Sequence, residues 1–222
     1  MRFRSDVSLP DDETVPSRRR YARRVNTSRR PVAGAAVLRP ELTEAVLDAT
    51  LDQLAQGGVG RLSMQQVAQH AGVGKSALYR RWPGKLDMVM EAISRLTVPD
   101  GEPEDTGDLE DDIHCMLVRL HRQPADPRSA MIIPDLLAET RRSPELAEAF
   151  TTRVAAPRRA WARIAFDRAV GRGEIRDEPA EIELALDALG SVPFWWTTVH
   201  GGTVTEGEGL RRLSAFVVRA LR

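Results

Sequence analysis

The chain has 222 residues, 42% hydrophobic, 29% charged and 5% aromatic. This is enough for one large or two small domains with real cores, while sparse aromatics and few alternating Val/Ile/Thr runs count against a sheet protein. The formal net charge is zero, yet residues 1–96 carry about +6 and residues 97–222 about −6, a basic end on an acidic body suited to meeting a polyanion at one end only.

No apolar run approaches the ~20 residues that cross a bilayer, so no membrane association is expected. Arg2 and Arg4 are not followed by an apolar stretch, so the start does not read as a secretory signal. The lone cysteine, Cys115, has no internal partner and points to a reducing, cytoplasmic setting.

Residues 1–39 read as a disordered, Arg-rich arm: Pro10, Pro16 and Pro31 interrupt any helical period and apolar content is low. Its arginines suit either contact with DNA or a solvated tail. Pro40 suits a helix start, and Leu42, Ala45, Val46, Ala49, Leu51 and Leu54 recur on one face until Gly57-Gly58. Ser63 is a good N-cap, with Gln66 in the capping-box position. A short helix follows, with Met64, Val67 and Ala68 inward. Ala71-Gly72-Val73-Gly74 is a tight turn, and a second short helix runs from Lys75 to Trp82. Pro83-Gly84 breaks it, and Lys85 to Leu96 forms a further helix.

Pro, Gly and acid dominate residues 99–107, which read as a linker between a head over 40–98 and a body over 108–222. The body reads as helices over Leu109–His121 and Arg128–Arg141, then one that begins after Ser143-Pro144 and runs to Arg172 with a bend at Pro157, then Glu181–His200 and Gly209–Leu221. The expected fold is therefore all-α.

The informative stretch is Ser63 to Trp82. Two short helices meet through a Gly turn, small Ala68 and Ala71 allow close approach, and Val73 and Leu78 wedge the angle between them. The second helix then presents Lys75, Ser76, Tyr79, Arg80 and Arg81, the donors that suit phosphates and base edges. Arg80 or Arg81 fits a guanine edge, Tyr79 and Lys85 fit phosphate oxygens, and the backbone at Ser63 and Gly74 adds N–H donors near helix starts. The expected partner is double-stranded DNA.

Residues 40–96 resemble the DNA-binding domain of the tetracycline-repressor (TetR) family, through the run from Ala68 by Ala71-Gly72-Val73 to Leu78-Tyr79, Trp82 and Lys85. That family usually has Phe at the place of Trp82 and often His at that of Arg81. Pro144-Glu145-Leu146, Ala155-Ala156-Pro157-Arg158-Arg159 and Gly173-Glu174-Ile175-Arg176 are similar to one common C-terminal subtype. The resemblance implies a three-helix head and a larger helical domain for ligand binding and dimerisation. It also implies a homodimer and a repressor released from a palindromic operator by a small-molecule inducer. An activator or a ligand-independent architectural DNA-binding protein is the alternative.

In the body, Met116, Leu120, Met131, Trp161 and Phe166 are the candidate lining of a ligand pocket. Two apolar C-terminal helices carry the candidate dimer residues Leu186, Leu189, Trp195, Leu213, Phe216 and Val217. No metal or cofactor is expected: His114 and Cys115 point different ways, and His114 and His121 stand about 10.5 Å apart along a helix. Nor is an enzyme, since no phosphate loop, nucleophile elbow or ligand cluster stands out.

Overall fold

The computed structural model describes residues 39–122, 128–199 and 208–222, apart from the side chains of residues 121 and 122, and every regular element among them is helical. Except for Arg39, the arm expected over residues 1–39 lies outside the described residues, as do His200 and the break expected at Gly201-Gly202.

Pro40 sits in the first turn of α1 (Pro40–Arg61), and Gly58, at φ 66°, breaks the helical path near its end. Val46, Leu47, Ala49 and Leu54 are buried along its inner face. Next come α2 (Met64–His70), α3 (Lys75–Arg81) and α4 (Lys85–Thr97). Together α1 to α4 pack around Val67, Leu78, Trp82, Met88 and Ile93.

The body comprises α5 (Leu109–Arg122), α6 (Ser129–Thr140), α7 (Pro144–Phe150), a π turn (Thr151–Ala155), α8 (Ala156–Arg172), α9 (Pro179–Thr198) and α10 (Glu208–Leu221). At the place of the bend expected at Pro157, the helix is irregular just before the proline. Pro157 falls in the first turn of α8, where the missing N–H costs little, and the irregularity is the wide turn just before it. Gly173, in the left-handed region at φ 74°, ends α8.

The segment 99–107 is strapped to the body. The Trp161 indole donates to the Gly101 carbonyl at 2.8 Å, and Arg168 donates to the Pro103 carbonyl at 3.0 Å. Asp108 then caps α5 by accepting from the N–H groups of Glu110 and Asp111. Asp112, wholly buried, is satisfied by the Thr106 backbone and hydroxyl and by Arg172.

Two apolar cores result. One joins the head helices to α6, α7 and the π turn through Ile132, Leu136, Leu146, Ala149 and Val154. The other joins α5, α8, α9 and α10. Along the chain, membership passes from the first core to the second between Leu96 and Leu109, back between Leu120 and Ile132, and over again between Val154 and Trp161.

Candidate nucleic-acid interface

The Ser63 hydroxyl accepts the Gln66 N–H at 3.4 Å and so caps α2. The reciprocal half of the expected capping box is supplied from elsewhere: the Ser63 N–H donates to Gln53 Oε1 on α1 at 3.0 Å. At the other end of α2, the Val73 N–H reaches the Ala68 carbonyl at 2.9 Å and the Gly72 N–H reaches Gln69 at 3.2 Å. That pair of bonds is a Schellman stop, which needs the positive φ of 65° found at Gly72.

The chain then extends through Gly74 into α3. Leu78 and Trp82, both almost inaccessible, anchor α3 from below, while Lys75, Ser76, Tyr79, Arg80 and Arg81 are exposed above. The Lys75 ammonium lies 5.8 Å from the centre of the Tyr79 ring. Arg80 makes no hydrogen bond or ion pair among the described residues and stands open to solvent.

Arg81 and Lys85 are placed differently. Arg81 pairs with Glu91 of α4 at 2.7 Å and stacks over the Trp82 ring at 5.0 Å. The other Glu91 oxygen accepts the Trp82 indole N–H at 2.8 Å. Lys85 donates to the Val59 carbonyl at 2.8 Å, while the Val59 N–H donates to Glu139 of α6 at 3.1 Å. Lys85 and Glu139 thus stitch the chain after Gly58 to both α4 and α6. Sequence reasoning missed Gln53, Glu91 and Glu139: each reads there as an ordinary polar residue on a helix, and its partner is remote in the chain.

Behind α3, a cleft of about 510 Å³ separates α4 from the π turn, with Trp82, Met90, Arg95 and Arg153 among its lining, and an Arg153–Asp87 ion pair of 2.7 Å joins the two elements. Head and body therefore meet where α4 packs on the π turn and where α1 packs on α6.

The body residues singled out from sequence separate into two groups. Met116, Trp161 and Phe166 are buried in the second core and Leu120 is half-buried against it, whereas Met131 is 59% exposed and faces away. Of the candidate dimer residues, Leu186, Leu189, Leu213 and Val217 turn into the protomer's own core, because α9 and α10 must first cover α5 and α8. Trp195 and Phe216 are 55% and 60% exposed, and Leu184, earlier on α9, and Val199, just after it, are exposed too. No described helix is long and apolar enough to cross a membrane.

A two-helix motif braced by buried Leu78 and Trp82 and backed by an all-helical body defines a helix-turn-helix regulator of the kind that binds DNA. The profile described as "Bacterial regulatory proteins, tetR family" matches residues 46–92, and the one described as "Tetracyclin repressor-like, C-terminal domain" matches residues 103–215. The HTH-type transcriptional regulator YdeS of Bacillus subtilis is 29% identical over 168 residues, which cover 73% of this chain and 81% of that protein. A DNA-binding transcriptional repressor, TetR, of Mycobacteroides abscessus is 31% identical over 131 residues, or 59% of this chain and 68% of that one. The crystal structure of the TetR-family regulator SCO0332 superposes with a TM-score of 0.60 at 23% identity, covering 82% of this chain and 99% of its own. The chain belongs to the TetR family of transcriptional regulators.

Proposed function

We propose that the protein is a dimeric repressor that holds a palindromic operator through α3 of each protomer and lets go when a small molecule enters the body. The observation that carries this reading is the exposed set Lys75, Ser76, Tyr79 and Arg80 on a helix braced from behind by Leu78 and Trp82. In this reading Arg80 reads a guanine edge, and Tyr79 and Lys75 hold phosphates. Ser63 and Gly74 set the starts of the two motif helices, and Arg81 and Lys85 fix the pose of α3 and α4 through Glu91 and Val59. The exposed apolar residues Leu184 and Trp195 on α9, Val199 just after it and Phe216 on α10 supply the surface for a second copy. A two-fold dimer matches half-sites about one helical turn apart. Release follows from the route through α4: a shift of the body moves α4 and changes the spacing of the two heads.

The test is a fluorescence-anisotropy titration against DNA from upstream of the protein's own gene, with scrambled DNA as control. Tight binding to the native fragment alone is expected. Arg80→Ala should reduce discrimination between the two DNAs by about 1–3 kcal/mol per guanine contact. Lys75→Ala should weaken both alike and flatten the salt dependence. Equal binding of wild type to both DNAs would refute a sequence-specific repressor.

A further inference from the structure

The recognition helix α3 carries three cations, Lys75, Arg80 and Arg81, and no acid. All three side chains are exposed, so each is a candidate for the DNA backbone. At about 100° per residue, Lys75, Tyr79, Ser76 and Arg80 follow one another round α3 within an arc of about 140°. Arg81 falls about 100° further on, on the side where Glu91 of α4 stands. It lines the cleft behind α3 together with Glu91, Ser94 and Arg95.

Glu91 holds it there. One oxygen of the carboxylate accepts from Arg81 at 2.7 Å and from Arg95 at 3.2 Å, and the other accepts the Trp82 indole N–H at 2.8 Å. An isolated surface ion pair holds little, because two long side chains must be ordered to make it. Here the carboxylate is ordered already, by an indole that is 1% exposed and by Arg95, which also reaches Glu44 at the start of α1. The Trp82 ring beneath the Arg81 guanidinium adds a second hold on the same side. Lys75 and Arg80, by contrast, pair with no carboxylate among the described residues.

An α-helix about 10–12 Å across fills a major groove about 12 Å wide, so its sides lie against the two phosphate ridges. A side chain as long as arginine's, at the end of such a helix, reaches a ridge unless something retains it.

We propose that Glu91 is a positioning residue for DNA binding: it keeps Arg81 off the DNA backbone and so sets the number of phosphates that each head neutralises. This rests on the reading above, in which α3 meets DNA, and deepens it. Holding one cation back lowers the grip that every stretch of DNA shares, and leaves the base contact of Arg80 to decide between sites.

The full-length protein is titrated by fluorescence anisotropy with a labelled duplex of scrambled sequence, at salt stepped between about 50 and 200 mM, and the slope of log K against log salt is read. Glu91→Gln removes the charge and keeps an acceptor for the Trp82 N–H. Its slope should be steeper than that of wild type by about 0.9 for each head engaged, the value of one further phosphate contact. Adding Arg81→Gln should abolish the increase. Glu44→Gln deletes the same charge from the same chain of ion pairs but leaves Arg81 on Glu91, so its slope should stay at the wild-type value. Arg81→Gln alone should weaken binding, through lost bracing of α3, without lowering the slope.

A Glu91→Gln slope equal to that of wild type overturns the proposal, as does an increase matched by Glu44→Gln or kept in the double variant. A slope that Arg81→Gln alone lowers by about 0.9 overturns it too, because Arg81 would then already touch a phosphate. That measurement decides the matter even if Glu91→Gln does not fold. Lys75→Ala separates this failure from that of the reading it rests on. A slope lowered by Lys75→Ala keeps α3 on the DNA and puts the fault with Glu91 alone, whereas a slope that Lys75→Ala leaves unchanged removes α3 from the backbone.

Discussion

Three donors converge on Glu91: the Arg81 guanidinium at 2.7 Å, the Trp82 indole at 2.8 Å and Arg95 at 3.2 Å. Trp82 is 1% exposed, so its N–H has no access to water as a substitute acceptor. Glu91→Ala should therefore destabilise the fold by about 1–3 kcal/mol, read as a lower urea midpoint. Adding Trp82→Phe to that variant should recover much of the loss, since the orphaned N–H disappears; a double-mutant cycle measures the coupling. Lack of recovery would mean that Glu91 acts through Arg81 alone. Trp82 was legible in the sequence as part of a motif. Glu91 was not, because a carboxylate nine positions further on looks like an ordinary solvated charge until the crossing of α3 and α4 brings the two together.

The helices themselves were largely legible, since their boundaries rest on local signals. Pro40, Ser63, Gly72, Pro83-Gly84 and Gly173 each stop or start an element through backbone chemistry contained within a few residues. The π turn was not legible, because it arises from a conflict between neighbours: the apolar stripe of α7 and that of α8 are out of α-helical phase, and both must face the core. Packing of α5 on α10 has a titratable consequence. His114 has a buried, unpartnered Nδ1, and burial together with Arg211 lowers its pKa against the opposing pull of Asp111. The unfolded chain then takes up the proton before the folded one does as pH falls. This contribution to stability is complete above about pH 6.5 and is lost progressively below it. His114→Gln should flatten that part of the stability–pH curve, as measured by urea denaturation at stepped pH; an unchanged slope would remove His114 as its source.

Across the whole molecule, the apolar residues of α9 and α10 serve two surfaces. Leu213 and Val217 close the protomer's core, while Phe216, between them in sequence, points outward with Trp195 and Leu184. Phe216→Glu should leave the protomer folded, shift sedimentation from dimer to monomer and weaken operator binding, since one head then engages one half-site. Leu213→Glu should instead unfold the body by burying an unpaired charge. A Phe216→Glu protein that stays dimeric would place the partner surface elsewhere. Which apolar residues close a core and which meet a partner cannot be read from composition, because both kinds recur at the same helical spacing.

The sequence by itself determined the all-helical class, the recognition motif from Ser63 to Trp82 and the exposed donors of α3, because these depend on local backbone preference and a short apolar period. Only the tertiary structure decided how the polar residues were allotted. It assigned Arg81 to Glu91, Lys85 to Val59 and Glu139 to the end of α1. Those outcomes depend on which helices cross and at what register, and a long charged side chain takes whatever partner that crossing brings within hydrogen-bond reach.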